Sequence, residues 1–179
     1  DLGEDAKVLA GGHSLIPMMK WRLAEPTHLV DISRLSDLNY IKEQEGYLCI
    51  GAMVTETALE TNDLIADKYA ILKDTSKVIA DPLVRNLATL GGNIAHGDPA
   101  NDHPATMLAM DAIVVACGPN GSRREINIDD FFLGPLWTAL EENEILTEIK
   151  IPVPKNDTGG CYLKLERKVG DYAIAAAAV

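Results

Sequence analysis

Short apolar runs that end at glycine, proline or polar residues predict strands along much of the chain. Residues 144–153 give the clearest pattern, because apolar and polar side chains alternate there as in a half-buried strand of an antiparallel sheet. The apolar face predicted for this strand consists of Ile145, Thr147, Ile149 and Ile151. Further strands are predicted at residues 7–10, 28–32, 39–43, 47–53, 112–117 and 123–126, with a hairpin turn at Glu45-Gly46.

Helices are predicted between these strands. Thr57 and Glu60 fit a capping box that opens a first helix, reaching to about residue 68. Helical apolar spacing continues from Tyr69, and Pro82 is expected to close this second helix. A third helix is predicted after the N-cap candidates Asn101 and Asp102. Because helices and strands alternate without a steady β-α-β order, the predicted fold class is α+β.

The composition argues against several classes of function. A chain of 179 residues, 47% of them hydrophobic, has the size of one ordinary domain or two small ones and can bury a core. Its formal charge of -11 is relieved by no Lys/Arg block, which argues against nucleic-acid binding. The longest apolar stretch, residues 173–179, is too short to span a membrane.

The three cysteines Cys49, Cys117 and Cys161 lie far apart and form no C-x-x-C pair. This spacing argues against a disulfide framework and against a zinc or iron–sulfur site within the chain. Each cysteine is predicted to be a small buried side chain in a reducing compartment, which favours a cytoplasmic location. His96, Asp98, Asp102 and His103 form only a weak metal spacing, so a solvated loop or a helix cap is favoured and no metal site is predicted.

Two Gly-Gly turns, Gly11-Gly12 and Gly91-Gly92, carry the strongest chemical signal. Glycine allows positive φ and close backbone approach to a ligand, and successive N–H groups in such turns can bind a pyrophosphate. Neutral donors stand beside them at Ser14, Thr89 and Asn93. Neither turn is a Rossmann or P-loop motif, so ordinary turns and a nucleotide-cofactor site both remain open on these residues alone.

Longer segments around both turns resemble the FAD-binding medium subunits of molybdenum hydroxylases, the family of xanthine dehydrogenase and aerobic carbon monoxide dehydrogenase. The segments are residues 8–20, 84–94 and 97–102, with further agreement at 48–52, 144–146, 151–152 and 162–171. The likeness runs in order from end to end. It departs at Leu87-Ala88, where many relatives have Arg-Gly, and positive φ at Ala88 would cost about 1 kcal/mol.

The resemblance implies a two-subdomain FAD-binding fold of the vanillyl-alcohol-oxidase or PCMH type. Residues 1–53 would form the first subdomain, residues 54–158 the second, and residues 159–179 the start of a C-terminal α+β domain. Both ends of the sequence are expected to be cut, so that the chain would be a fragment of a longer polypeptide.

The resemblance also implies where FAD is held. The cofactor-binding residues expected from it are Ala10, Gly11, Gly12, His13, Ser14, Thr89, Leu90, Gly91, Gly92, Asn93 and Asp102, with Asp102 bonding a sugar or ribityl hydroxyl. Leu146 would pack near FAD or in the strand core, and Lys164 would lie near FAD or in solvent. FAD is expected to be bound non-covalently, with covalent attachment through His13 as the alternative.

No residue is predicted to be catalytic by itself, because in a flavoprotein the cofactor carries the chemistry. The implied function is an oxidoreductase subunit that passes electrons from [2Fe-2S] clusters through FAD to a quinone, NAD or dioxygen. The clusters and the molybdenum cofactor would belong to a small and a large partner subunit, in a dimer of heterotrimers. The alternatives are a stand-alone FAD-dependent oxidase of the same superfamily and a degenerate, non-catalytic scaffold.

Overall fold

The computed structural model of the protein describes residues 5–155 and 157–179, so the first four residues of the predicted first subdomain lie outside it. Its helices are α1 (Leu15–Lys20), α2 (Glu56–Thr61), α3 (Asp63–Lys68), α4 (Ala70–Lys77), α5 (Pro82–Arg85), α6 (Leu90–His96) and α7 (His103–Ala109). Its strands are β1 (Ala6–Leu9), β2 (His28–Asp31), β3 (Ile41–Gln44), β4 (Tyr47–Gly51), β5 (Ile113–Cys117), β6 (Arg123–Asn127), β7 (Phe132–Gly134), β8 (Trp137–Thr138), β9 (Ile145–Pro152), β10 (Tyr162–Glu166) and β11 (Ala173–Ala178). The mixture confirms the predicted α+β class.

A five-stranded antiparallel sheet in the order β3-β4-β9-β5-β6 forms the centre of the described chain. Strands β1 and β2 pair in parallel as a separate two-stranded sheet, and β10 pairs with β11 as an antiparallel hairpin. The predicted hairpin turn is confirmed, because Glu45 and Gly46 both have positive φ (54° and 83°) between β3 and β4. Such a two-residue loop matches the right-handed twist of the strands that it joins.

The core lies between one face of this sheet and the helices. Leu48 and Ile50 of β4 and Ile149 of β9 are fully buried in one apolar cluster. The helices contribute Leu59, Leu72, Ile94 and Met107 to the same cluster. Each such side chain contributes about 1.5–3 kcal/mol by leaving water, so the sheet and helices are held together chiefly by this face.

The predicted alternation along β9 is wrong at its start. The pairing of β9 with β5 slips by one residue at Thr147, so that Val115 opposes Glu148 while Ala116 opposes Leu146. This β-bulge turns Leu146 into the core, and Ile145 and Thr147 are only half-buried. A bulge depends on the partner strand, so the pattern of one strand does not indicate it.

The predicted first helix is wrong in its start and its length. Thr55, not Thr57, is the N-cap, and its side chain accepts a hydrogen bond from the Ala58 N–H. The helix ends at Thr61, and Asn62 caps a separate helix, α3, by accepting from the Ile65 N–H. The chain therefore bends at Asn62, where the sequence pattern predicted one continuous helix.

Two further helix predictions need correction. Pro82 opens α5 rather than only closing the helix before it, because Asp81 accepts from the N–H groups of Leu83 and Val84. The predicted helix after Asp102 is confirmed as α7, but the Asp102 carboxylate makes no cap hydrogen bond. That side chain points elsewhere and belongs to the site described below.

The prediction of buried cysteines holds only in part. Cys49 is buried, whereas Cys117 and Cys161 are half-buried, and all three are free thiols. Across the described residues, no helix is both long enough and apolar enough to cross a membrane.

The predicted division into subdomains stays a prediction. Strands β3 and β4 precede the expected boundary after residue 53, yet β4 pairs with β9, which lies well beyond it. The hairpin β10–β11 follows the second expected boundary.

Candidate functional site

The first glycine segment, residues 10–14, connects β1 to α1. Pairing of β1 with β2 fixes its start, and the Ile16 N–H donates to the Gly12 carbonyl (3.1 Å) as α1 begins. Gly12 has a φ of +73°, so the predicted need for positive φ is met at this position. Within the described part of the chain, the N–H groups of Gly11, Gly12 and His13 find no acceptor, which leaves them available to a ligand.

The second glycine segment, residues 87–93, does not form the predicted turn. Leu90–His96 is a helix, α6, and neither Gly91 nor Gly92 has positive φ. Thr89 is the N-cap, and its hydroxyl oxygen accepts from the Gly92 N–H (3.1 Å). Ala88 does not have positive φ either, so its departure from the family pattern causes no backbone strain.

Gly91 is needed for close packing rather than for a special backbone conformation. A Cβ added to it would lie 2.6 Å from the Ala52 carbonyl oxygen, and the Gly91 N–H donates to that same oxygen (3.1 Å). Ala52 is in turn held by the β9 bulge, because its own N–H donates to the Thr147 carbonyl (2.9 Å). The central sheet therefore fixes the position of the second glycine segment.

The structure brings the two glycine segments into contact, although they lie far apart in the sequence. A Cβ on Gly11 would lie only 2.0 Å from the Leu87 carbonyl oxygen, and one on Gly92 would lie 3.6 Å from the Ala10 Cβ. The two segments thus pack backbone against backbone. The free N–H groups of the first segment and the neutral side chains of both segments form one polar surface that can donate to phosphate oxygens, whereas the N–H groups of Gly91 and Gly92 are already bonded within the chain.

Asn93 adds a polar group that is buried without a partner. Its Oδ1 atom is shielded from solvent and accepts no hydrogen bond from any residue that the structure describes. A buried polar atom in this state costs free energy unless a ligand or water pairs with it. The hydroxyl groups of a sugar or ribityl chain are suitable donors.

Asp102 is bonded within the chain rather than turned to solvent. Its Oδ1 accepts from the Tyr162 hydroxyl (2.6 Å), and its Oδ2 accepts from Lys164 Nζ (3.0 Å). Both residues lie on β10, and the side chains of Asp102 and Lys164 are 7% and 3% exposed. Burial and the hydrogen bond to Asp102 raise the pKa of Tyr162, so this hydroxyl keeps its proton. Each carboxylate oxygen retains a second lone pair for a ligand hydroxyl.

Lys164 is buried, so the alternative prediction that places it in solvent is wrong. Besides Asp102, its Nζ donates to the Val78 carbonyl (3.1 Å), and Glu166 Oε2 lies 3.7 Å away. Leu146 belongs to the apolar core cluster and is 4% exposed, as its alternative interpretation as strand core predicts.

The remaining predicted residues differ in their exposure. His13 is exposed, and its ring Nδ1–H donates to the Gly11 carbonyl (2.7 Å), which holds the imidazole against the first segment. Ser14 is half-buried and precedes α1 without a side-chain cap bond. Leu90 is fully buried in the core, so it contributes to the surface only through its backbone.

The sequence did not indicate that Tyr162, Ala52 and Leu87 would complete the surface. Each acts through a contact to a distant segment, which no local pattern reveals. Ala52 and Tyr162 stood only within the segments of family resemblance, and Leu87 only as part of the departure from the family pattern at Leu87-Ala88.

The histidines near Asp102 do not converge on a metal position. His103 is fully buried, and its Nε2 lies 2.7 Å from Glu56 Oε2. Among residues 5–155 and 157–179, no group of three or more His, Cys, Asp or Glu side chains is arranged to hold a metal ion.

The fold and the paired glycine segments define an α+β domain with a polar surface that can hold a phosphate-bearing cofactor. Residues 1–154 match the family model described as the FAD binding domain in molybdopterin dehydrogenase. The chain therefore belongs to this family of FAD-binding domains.

Similar proteins agree with the family assignment. The chain is 51% identical to the carbon monoxide dehydrogenase medium chain of Hydrogenophaga pseudoflava and 52% identical to that of Afipia carboxidovorans, in each case over 99% of this chain and 62% of the relative. The solved structure of the Hydrogenophaga pseudoflava enzyme that lacks the Mo-pyranopterin moiety of its cofactor superposes with a TM-score of 0.96 at 51% identity, covering 99% of this chain and 61% of that one. The chain thus spans about three-fifths of the length of these relatives.

Proposed function

We propose that this chain binds FAD non-covalently where its two glycine segments meet. Residues Ala10, Gly11, Gly12, His13 and Ser14 would line one side of the pyrophosphate and ribityl chain, and Thr89, Leu90, Gly91, Gly92 and Asn93 the other. The observation that carries the proposal is the backbone contact between Gly11 and Leu87, which brings unpaired N–H groups beside the Gly91-Gly92 helix start. An extended dinucleotide can contact both segments of such a surface at once.

Asn93 and Asp102 are proposed to bind hydroxyl groups of the cofactor. The unpartnered Asn93 oxygen supports this role, because a ligand donor would satisfy it. Asp102 would offer its remaining lone pairs while Tyr162 and Lys164 hold it in place. Lys164 is proposed to lie near FAD as part of an ion pair, so its positive charge is largely balanced by Asp102.

The complete protein is proposed to be the FAD-containing electron-transfer subunit of a molybdenum hydroxylase. Bound FAD exchanges electrons singly or in pairs, and the protein supplies position and electrostatics. The electrons would come from [2Fe-2S] clusters of a small subunit, after oxidation of a substrate on a large molybdenum subunit, and would pass to a quinone, NAD or dioxygen. A dimer of heterotrimers in the cytoplasm, with the subdomain division given above, belongs to the same proposal.

The function is tested in the assembled complex, by removing and restoring the flavin. The expected result is that the flavin-free complex still lets substrate reduce the iron–sulfur clusters but no longer reduces the external acceptor. Added FAD should restore acceptor reduction. Undiminished acceptor reduction without FAD would overturn the electron-transfer role.

A further inference from the structure

A line of buried polar side chains crosses the interior between α2, α4 and α7. At one end, the Thr75 and Thr106 hydroxyl oxygens lie 2.7 Å apart. At the other, Glu56 Oε2 accepts from the Ser76 hydroxyl (3.1 Å) and from His103 Nε2 (2.7 Å). All five residues are fully buried, and together they are called the polar seam here.

The polar seam makes the register between these helices specific. Apolar side chains tolerate sliding, whereas a buried carboxylate that loses its donors becomes strongly destabilising. Glu56 must therefore stay within hydrogen-bond distance of His103 and Ser76. The seam thus ties the N-terminal turn of α2 to the first turn of α7 and to the last turn of α4.

Both ends of the Glu56–His103 contact adjoin the FAD site. The Glu56 N–H donates to the Ala88 carbonyl (3.0 Å), and the residue before it, Thr55, forms a β-bridge with Thr89. His103 directly follows Asp102 at the start of α7. One side-chain contact therefore connects the backbone that carries the second glycine segment with the backbone that carries Asp102.

We propose that Glu56 and His103 are positioning residues that hold Asp102 in register with the Ala88–Thr89 segment and so set the affinity for FAD. Neither side chain reaches the site surface, because both are fully buried. They act through neighbouring residues. Glu56 acts through the hydrogen bond from its N–H to the Ala88 carbonyl. His103 acts by fixing the start of α7, where Asp102 directly precedes it. The inference rests on the proposed function, since it concerns the affinity of that same site.

The test compares FAD affinity in variants of the full-length, deflavinated protein, by titration of flavin fluorescence. E56L combined with H103L replaces the contact by apolar side chains, a change that buried ion pairs often tolerate in stability. We expect the variant to remain folded and its Kd for FAD to rise about tenfold or more. Losses of this size are typical when a residue that orients a metal ligand is removed from a metal site. E56Q keeps a hydrogen bond to His103 and is expected to bind FAD within about threefold of wild type.

Two controls separate positioning from general stability. R124L combined with E144L removes another part-buried ion pair, which hydrogen-bonds to no residue of the site, and should leave the Kd for FAD unchanged. If the double variant of Glu56 and His103 fails to fold, E56D serves instead, because it keeps the charge but withdraws the carboxylate from His103. E56D should then weaken FAD binding while E56Q does not.

The outcomes distinguish the inference from the function on which it rests. Wild-type protein that binds no FAD would overturn the proposed function itself. Wild-type protein that binds FAD, together with unchanged affinity in E56L/H103L or in E56D, would overturn the positioning role alone. Weakened binding in E56L/H103L or E56D, with E56Q and the Arg124–Glu144 control unaffected, would support it.

Discussion

At the scale of single residues, the site depends on two glycines, Gly11 and Gly91, because they have no Cβ. Gly11 and Gly91 have ordinary φ values, yet a Cβ at either would overlap backbone atoms of another segment. The sequence pattern predicted a positive φ at these glycines, and that prediction is wrong for both Gly11 and Gly91. Close packing of two backbones, rather than a positive φ, requires glycine at both positions.

Gly11→Ala tests this packing. Its Cβ would lie 2.0 Å from the Leu87 carbonyl oxygen, so the two glycine segments must separate. We expect a loss of about 1–3 kcal/mol in the free energy of unfolding, together with clearly weaker FAD binding. Gly159→Ala is the matched control, because nothing lies within 4 Å of its added Cβ. Equal FAD affinity in the two variants would contradict the packing described here.

Lys164→Met tests the buried ion pair with Asp102. The substitution leaves a carboxylate that is 7% exposed without its cation. Because an uncompensated buried charge is strongly destabilising, we expect the free energy of unfolding to fall by about 3–5 kcal/mol. Denaturant unfolding of the full-length chain measures this loss. Adding Asp102→Asn should recover much of the loss. A double variant no more stable than Lys164→Met would show that the pair is not coupled.

At the scale of elements, the strands were predicted better than the helix ends. All seven predicted strands exist with small shifts in their ends, because alternation and turn residues are local signals. Thr55 rather than Thr57 caps α2 because Thr55 is held by its bridge to Thr89, a contact between distant segments. The bulge at Thr147 and the helical conformation of Gly91 depend on such contacts too.

Glu45→Asn tests the β3–β4 hairpin turn. Glu45 is exposed and has a φ of 54°, a conformation that Asn adopts more readily than Glu. We expect stabilisation of about 0.5 kcal/mol, and Glu45→Val should destabilise, since a β-branched residue is disfavoured there. Thermal unfolding of both variants gives the comparison. A stabilising valine would rule out this turn geometry.

The contact between Arg124 and Glu144 should give part of the acid sensitivity. Its hydrogen bonds hold the pKa of Glu144 below the usual 4.5. A lowered carboxyl pKa stabilises the fold above the usual value, and this contribution is lost as pH falls through the folded-state pKa. Arg124→Met should therefore cost about 1 kcal/mol near neutral pH, a modest value because Arg124 is 39% exposed. That cost should shrink as the pH falls below the usual carboxyl pKa of 4.5; a cost independent of pH in denaturant titrations would contradict it.

At the scale of the whole molecule, the fold class and the family followed from the sequence, whereas the connections between the parts of the site did not. Local patterns located the two glycine segments and Asp102. They did not indicate that Asp102 would accept hydrogen bonds from Tyr162 and Lys164. Nor did they indicate that Glu56 and His103 would form a buried hydrogen bond with each other. Those contacts join residues that are distant in sequence, so only the folded chain reveals them.

The most direct measurement is the flavin content of the full-length protein after acid precipitation. We expect flavin absorbance in the purified protein, and release of the flavin into the supernatant as FAD, about one per chain. This result would establish the non-covalent site on which the account depends. Flavin retained in the pellet would point instead to attachment through His13, and protein without flavin even after reconstitution would contradict the account.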